Sequence, residues 1–276
     1  MNQEVFAAVA DALERGEMAA LVTIVATTGS TPQRIGAKML VFADGRIVGT
    51  IGGGCYENDA FWKAREAITH RRPQVVHYEL SDDFAQETGL ICGGQMDVYI
   101  EPVEPSPELY VVGAGHVGFH LARLAHEVGF RVHVVDDREK FANRERFPTA
   151  AEVVAEDIPA WIERTNIPPH AYVVVVTRGH TNDLEALRAL APRDLRYLGL
   201  IGSRAKVARL YDALTGDGMP AHSLRSVHAP IGLDIGAVTP QEIAVSILGE
   251  LIAVKHGKVK SRDAAELSMR WNNLKT

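Results

Sequence analysis

The stretch LYVVGAGHVGFHLARLAHEVGFRVHVVDDR, residues 109–138, determines the expected fold. A β-branched run ends at Gly113, a helical pattern begins at His116, and a second apolar run ends at Asp136. The glycines have the GxGxxG spacing of a strand–helix turn whose amides can approach a phosphate, and the acid stands where dinucleotide-binding folds hold a ribose hydroxyl. The stretch therefore predicts a Rossmann-type unit. Whether its turn binds a nucleotide or pterin phosphate, or only packs the helix on the strand, stays open.

Buried-type strands continue to alternate with helical patterns after this stretch. Further strands are predicted at AEVVAE (151–156), AYVVVVT (171–177) and RYLGLIGS (196–203), with helices at 182–191, 204–214 and 240–255. Such alternation indicates a parallel sheet covered on both faces. The loops TRGH (177–180) and GSR (202–204) follow strands, at the edge where open α/β sheets bind ligands. Helix capping by Asp183 and Ser203 is the structural alternative.

The first part of the chain has a different pattern, which predicts a small α+β domain. Helices are expected around Val5–Leu13, ending at Gly16, and at 56–70, and strands at 19–27, 37–43, 46–52, 75–80 and 95–103. Asp44-Gly45 is typical of a tight hairpin turn. The proline- and glutamate-rich segment 101–108 is a stiff polar spacer. We therefore expect an N-terminal domain over 1–104, a Rossmann-like domain over 105–258 and a polar tail over 259–276, an α/β protein overall.

Composition excludes several classes of protein. The 276 residues are 46% hydrophobic and carry a formal net charge of −6, which disfavours binding to nucleic acid or to an anionic membrane through overall charge. Two cysteines cannot build a disulfide-dense scaffold or a four-cysteine metal site. The sequence shows no signal peptide and no apolar run of membrane-spanning length, so we expect a cytoplasmic protein with reduced thiols.

Two cysteines beside consecutive glycines and one polar loop are candidates for chemistry. Cys55 ends GGGC (52–55) and Cys92 begins CGG (92–94), so a ligand could approach either thiol closely. The alternative is that each is a small buried side chain beside a tight turn. The loop TGSTPQRIGAK (28–38) offers hydroxyls, glycine amides and two cations, which suit a phosphate, although a solvated turn would look similar.

Several ordered motifs together resemble the XdhC/CoxI family of accessory proteins for molybdenum hydroxylases. The motifs that carry this resemblance are GSTPQRIGAKM (29–39), GTIGGGCYE (49–57), GLICGGQMDVYIEP (89–102), VVGAGHVG (111–118), VVDDR (134–138), VVVTRGH (174–180), YLGLIGSRAK (197–206) and HAPIGLDIGAVTPQEIAVSI (228–247). Their order and joint presence are specific, and they cover the chain to about Lys258. Two departures are Gln33, which separates the loop proline from Arg34, and Thr181-Asn182, where many members carry a second histidine.

The resemblance implies a chaperone that binds the molybdenum cofactor (molybdopterin) as cargo. It favours this role over that of an enzyme with turnover of its own. Such a chaperone supports cofactor sulfuration by a cysteine desulfurase and delivers the cofactor to a xanthine dehydrogenase-type hydroxylase. A homodimer is expected by base rate. Cys55 and Cys92 are expected to hold the metal or relay sulfur, with Cys92 as a candidate molybdenum ligand. The expected cofactor-binding residues are Ser30, Arg34, Lys38, Gly53, Gly54, Gly93, Gly113, Gly115, His116, Gly118, Asp136, Arg178, His180, Ser203 and Arg204.

Two other functions remain open at this point. The Rossmann pattern with Asp136 would also suit an NAD(P)-dependent oxidoreductase that uses GAGHVG as its dinucleotide site. It would equally suit a nucleotide-sensing regulatory module, for which the N-terminal domain with its two thiols would be superfluous. The sequence leaves open which hydroxylase is the client, and whether the cofactor carries an added cytidine nucleotide.

Overall fold

The computed structural model describes residues 2–79 and 94–258, and it divides the chain into two compact units, Met1–Ser106 and Pro107–Thr276. We call these the N-terminal and C-terminal units. The predicted tail over 259–276, and Cys92 and Gly93, lie outside the described residues. None of the helices among the described residues is both long and apolar enough to cross a membrane.

The N-terminal unit is an antiparallel sheet with helices. Its elements are α1 (Gln3–Arg15), β1 (Ala19–Thr28), β2 (Lys38–Phe42), β3 (Ile47–Gly49), α2 (Gly54–His70), β4 (Gln74–Glu79) and β5 (Gln95–Val103). The strand order is β3-β2-β1-β5-β4. Alternate residues of β1 and β5, such as Val22 and Val98, are buried in a core that includes Ala60 and Ala64 of α2. Alternation on the strands thus places α2 on one face of the sheet.

The C-terminal unit is a parallel six-stranded sheet. It contains β6 (Glu108–Val112), α3 (His116–Glu127), β7 (Arg131–Asp136), β8 (Glu152–Ala155), α4 (Ile158–Arg164), β9 (Tyr172–Val175), α5 (His180–Leu190), β10 (Tyr197–Leu200), α6 (Arg204–Gly216), α7 (Ala221–Arg225), β11 (Val227–His228) and α8 (Pro240–Lys255). The spatial order is β11-β10-β9-β6-β7-β8, with every pairing parallel. This is the Rossmann order, and the chain reverses direction across the sheet between β6 and β9. The predicted α/β fold class is confirmed.

The C-terminal sheet lies between two layers of helices, and this position accounts for its apolar strands. The central strands send side chains into two separate cores: Val111 and Val174 pack with α3 and α8, whereas Val173 and Val175 pack with α4, α5 and α6. A strand that is buried on both faces needs apolar residues at every position. The β-branched run of β9 therefore follows from its central place in the sheet.

A buried polar cluster fixes α8 to the end of the sheet. Glu250 on α8 is completely buried, and it accepts hydrogen bonds from the Tyr197 hydroxyl and the Gly232 amide, each at 2.7 Å, with His228 Nδ1 also at 2.7 Å. Burial alone would raise the pKa of Glu250, but the partners, His228 first, outweigh it and hold that pKa below its ordinary value. The carboxylate thereby joins β10, β11 and α8 in one cluster.

Candidate functional site

In the N-terminal unit, glycines bring the sequence-predicted loops together. A Cβ on Gly52 would lie 2.7 Å from Cβ of Pro32, so the GGGC turn packs directly on the 28–38 loop. A Cβ on Gly94 would lie 2.4 Å from the Ser30 carbonyl oxygen. Since no side chain fits at either place, glycine is required by close approach. The structure therefore unites the loop of Ser30 with the GGGC turn and with the residue that follows Gly93.

The GGGC turn is closed by a carboxylate of its own helix. Gly52, Gly53 and Gly54 all have positive φ, and α2 begins at Gly54. Glu57 Oε2 accepts hydrogen bonds from the Thr50 hydroxyl at 2.5 Å, the Ile51 amide at 2.9 Å and the Gly53 amide at 3.0 Å. Burial alone would raise the pKa of Glu57, but these donors lower it overall. The Ile51 and Gly53 amides are thus already engaged by an internal anion, while the Gly52 amide donates to Thr50 Oγ1 at 3.0 Å.

The remaining predicted residues of this unit are distributed around the turn. Cys55 is a free, half-buried thiol in the first turn of α2. Ser30 and Arg34 are exposed on the 28–38 loop. Lys38 is directed elsewhere: its Nζ donates to Thr23 Oγ1 at 2.9 Å and lies 5.7 Å from the centre of the Phe6 ring. Of the two predicted cations, Arg34 therefore remains accessible to a ligand, whereas Lys38 contacts side chains of β1 and α1.

In the C-terminal unit, the GxGxxG turn lies at the switch point of the sheet. A Cβ on Gly113 would lie 2.6 Å from the Val176 carbonyl oxygen, so the turn touches the end of β9. A Cβ on Gly118 would lie 2.0 Å from the Gly113 carbonyl oxygen, so this glycine lets α3 pack on its own strand. Gly115 differs from both, because a Cβ there meets nothing within 4 Å among the described residues and φ is −66°. Its surroundings are open.

Asp136 holds this turn and has no lone pair left for a ligand. Oδ2 accepts from the Ala114 amide at 2.7 Å and Arg138 Nη2 at 2.9 Å, while Oδ1 accepts from Arg138 Nε at 2.7 Å and the Arg138 amide at 3.1 Å. A carboxylate has about four acceptor positions, and all four are used. Burial would raise the pKa of Asp136, but Arg138 and the Ala114 amide outweigh it and lower that pKa. Arg146 Nη1 donates to the Ala114 carbonyl at 3.0 Å and fixes the other side of the same residue.

Two helices that flank the switch point have open N-termini. Within the described part of the C-terminal unit, Asp157, Ser203 and Thr239 cap α4, α6 and α8 by accepting a backbone hydrogen bond. By contrast, α3 and α5 begin after Gly115 and Gly179 without a side-chain cap among the described residues. The first amides of a helix attract anions through the helix dipole. The exposed side chains at this edge are His116, Arg178, His180 and Arg204.

The prediction of capping was right for one residue and wrong for the other. Ser203 accepts from the Lys206 amide at 3.2 Å and caps α6. Helix α5 begins at His180, before the predicted residue 182, so Asp183 lies inside its first turn. The Asp183 carboxylate instead accepts from the Thr177 hydroxyl at 2.6 Å and lies against the ammonium of Lys206. Among the described residues, no group of three or more His, Cys, Asp or Glu side chains could hold a metal ion.

Sequence reasoning missed three groups that shape these turns. Glu57 carried a local signal, since an acid in the first turn of a helix commonly satisfies its free amides. Arg138 follows the acid in VVDDR and also could have been noticed. Arg146 lies 32 residues from Ala114 in the chain, and no local pattern connects them.

Family comparisons cover both units. The model of the XdhC Rossmann domain matches residues 109–251, and the model of the XdhC and CoxI family matches residues 12–79. Over 238 residues the chain is 39% identical to the protein YqeB of Escherichia coli K12; the alignment covers 86% of this chain and only 43% of YqeB. The chain therefore spans less than half the length of that relative.

Two curated relatives of similar length and one solved structure are also similar to the chain. A protein of Bacillus subtilis, named as a probable subunit of xanthine dehydrogenase, is 26% identical, with 88% of this chain and 95% of that protein covered. The molybdenum cofactor insertion chaperone PaoD of Escherichia coli is 25% identical, with 89% and 86% covered. The crystal structure of a xanthine dehydrogenase from Bacillus halodurans is 25% identical, with a TM-score of 0.51 and coverage of 94% and 98%.

Proposed function

The chain belongs to the XdhC and CoxI family, and from this premise we propose that it is a chaperone of the molybdenum cofactor. In this role it binds the molybdenum–pyranopterin phosphate as cargo, supports its sulfuration and delivers it to a xanthine dehydrogenase-type hydroxylase. The observation that carries the proposal is this membership, together with similarity over most of both chains to a relative named as a molybdenum cofactor insertion chaperone. Its further partners are a cysteine desulfurase and a second copy of the chain.

The C-terminal unit supplies a place for the anionic end of such a cargo. The open N-terminus of α3 at Gly115 adjoins the switch point, Arg178 is exposed on the loop after β9, and Arg204 is exposed at the start of α6. A phosphate is bound by backbone amides and guanidinium groups of this kind. Because the overall charge is −6, local cations must provide the attraction.

The N-terminal unit supplies the sulfur chemistry. The Glu57 carboxylate already accepts from the Gly53 amide and would repel a second anion, so we assign to this turn the half-buried thiol of Cys55 and not an anion site. Thiolate is a soft ligand that suits molybdenum, and a thiol can also relay sulfur. The assignment of Cys92 as a metal ligand or relay stays a prediction, because this residue lies outside the described part of the chain.

The structure gives the alternative of an NAD(P)-dependent oxidoreductase no support. A dinucleotide site of this type needs the acid after the second strand to accept a ribose hydroxyl. Both oxygens of Asp136 already accept two hydrogen bonds, and the residue is 2% exposed. Asp136 therefore serves the turn itself.

The proposal is tested by cofactor transfer to purified protein. Full-length chain, incubated without oxygen with a molybdenum cofactor donor, should retain the cofactor, and a strain without the gene should contain under-sulfurated hydroxylase. Cys92→Ser should lose cofactor retention or sulfuration at a nearly unchanged melting temperature. Cys55→Ser, measured in parallel, separates the two thiols. Absence of cofactor binding in the wild type, with fully sulfurated hydroxylase in the deletion strain, would refute the proposal.

A further inference from the structure

Asp183 and Lys206 form a buried ion pair that none of the roles above uses. Asp183 is completely buried, and its Oδ1 accepts from the Thr177 hydroxyl at 2.6 Å. The Lys206 ammonium lies against Oδ2 and also donates to the Ile201 carbonyl at 3.4 Å. Thr177 follows β9, and Lys206 is in the first turn of the helix after β10. The pair therefore joins the first turns of α5 and α6, the helices that follow β9 and β10 at the ligand-binding edge of the sheet.

Stability alone does not account for a pair in this position. Removing two charges from water costs about as much free energy as their attraction returns, and apolar side chains often replace such pairs without loss. The backbone, moreover, is adapted to the lysine. A Cβ on Gly202 would lie 2.9 Å from Lys206 Cδ, so glycine at this position lets the alkyl chain pass over the end of β10. Sequence and backbone thus combine to place an ammonium group at one defined point.

The two partners of the ion pair differ in exposure. The Lys206 side chain is 19% exposed, whereas that of Asp183 is 0% exposed. Asp183 balances the charge of Lys206, so net positive charge at this edge must come from Arg178, exposed on the loop after β9, and Arg204, exposed at the start of α6. A positioned ammonium, together with two guanidinium groups at the same edge of the sheet, is a donor set that suits the oxygens of a phosphate ester.

We propose that the loops after β9 and β10 form a phosphate subsite. Lys206 is its central donor, Asp183 and Thr177 position that donor, and Arg178 and Arg204 supply the net charge. The inference deepens the proposed function and rests on it for the natural ligand, which would place a phosphate ester of the cofactor here. The subsite itself is defined by phosphate chemistry and is tested without the cofactor.

The test measures binding of inorganic phosphate and pyrophosphate to the full chain by titration calorimetry. Lys206→Met removes the donor but leaves a buried carboxylate unpaired, so the double variant Asp183→Asn with Lys206→Met is included to restore neutrality. Arg188→Met is the matched control, since it removes one positive charge from the far end of α5, where Arg188 pairs with Glu185 and Asp217. We expect both Lys206 variants to bind each probe about tenfold more weakly or worse, and Arg188→Met to bind as the wild type does.

A measurement on the wild type covers the case in which the variants do not fold. Pyrophosphate should protect Lys206 from acetylation, as read by peptide mass analysis, while exposed Lys140 should react equally with and without the probe. The ratio of the two affinities identifies the ester: similar values indicate a phosphate monoester, and much tighter binding of pyrophosphate indicates a diphosphate.

The outcomes separate this inference from the proposed function. Wild-type protein that binds neither probe at millimolar concentration, or Lys206 variants that bind like the wild type, would overturn the subsite even if the cofactor binds. Loss of phosphate and pyrophosphate binding in the Lys206 variants supports the subsite. This result would support it even if the wild type did not take up cofactor and the proposed function were refuted.

Discussion

Two glycine-rich strand–helix turns, one in each unit, look alike in sequence and differ in structure. In the N-terminal unit, GGGC precedes α2 and all three glycines have positive φ. In the C-terminal unit, GAGHVG precedes α3; only Gly113 has positive φ, and Gly118 is needed because no Cβ fits against the Gly113 carbonyl. The first turn holds the Glu57 carboxylate on its Ile51 and Gly53 amides, whereas the second is held at Ala114 by Asp136 and Arg146. The two turns therefore differ in charge: Asp136 is paired with Arg138, whereas the donors to Glu57 named above are neutral, so we expect the second turn to accept an added anion more readily.

The largest effect expected from this comparison is that of Gly118→Ala. The new Cβ would lie 2.0 Å from a backbone oxygen, which cannot move without shifting β6. We expect a loss of about 3 kcal/mol in the free energy of unfolding, measured by urea denaturation. Gly115→Ala is the control, since its φ of −66° and open surroundings should leave stability within about 0.5 kcal/mol. Equal losses in the two variants would show that the turn packs differently.

The next effect concerns the carboxylate that closes the N-terminal turn. Glu57→Gln should destabilise the unit by about 1–2 kcal/mol at neutral pH, because the charge-assisted hydrogen bonds from Thr50, Ile51 and Gly53 are weakened. The pKa of Glu57 is lowered in the fold, so its contribution is present above the unfolded-state pKa and is lost as pH falls through the folded value.

The variant should therefore differ from the wild type most at neutral pH, and the two denaturation curves should converge in acid. Glu66→Gln, on the same helix and exposed, is the matched control. A constant difference between Glu57→Gln and wild type down to pH 3 would contradict the assigned hydrogen bonds.

The smallest effect on stability is expected when the GAGHVG turn is given a carboxylate of its own, as the GGGC turn has in Glu57. Gly115→Asp would place a capping carboxylate on α3, at a position whose φ and ψ of −66° and −164° suit an Asp N-cap. Stability should rise by about 0.5–1 kcal/mol. Cofactor retention should fall strongly, because the new carboxylate competes for the same amides. Retention unchanged in a stabilised variant would mean that these amides do not bind the cargo.

The sequence predicts a helix or strand well when the residues that signal it are close together in the chain and the element is long enough to show a pattern. Helix α8 is predicted over its observed residues, 240–255, because Thr239, Pro240 and Glu242 form a local start signal. Strand β5 is likewise predicted over 95–103. Helix α4, helix α7 and strand β11 are missed, since seven, five and two residues are too few for periodicity to show.

The candidate site shows the same limit. Glycine spacing correctly locates the turn at Gly113–Gly118, because that signal is local. The hydrogen bonds that the Ala114 amide and Arg138 donate to Asp136, and the contact of Arg146 with the Ala114 carbonyl, depend on tertiary packing. The sequence therefore predicts a ribose-binding acid at Asp136, whereas in the structure this residue supports the turn. Lys38 is expected at a phosphate and contacts Thr23 and Phe6 instead, because the neighbours that β1 and α1 bring to it cannot be known from its loop.

The central claim is that the chain carries the molybdenum cofactor, and the most direct measurement is mass analysis of the ligand released from protein purified without oxygen. Full-length chain from molybdate-supplied cells should release a pyranopterin phosphate together with molybdenum in equal amounts, in its plain or cytidine form. Protein that releases no pterin, or that releases only a nicotinamide dinucleotide, would contradict the account.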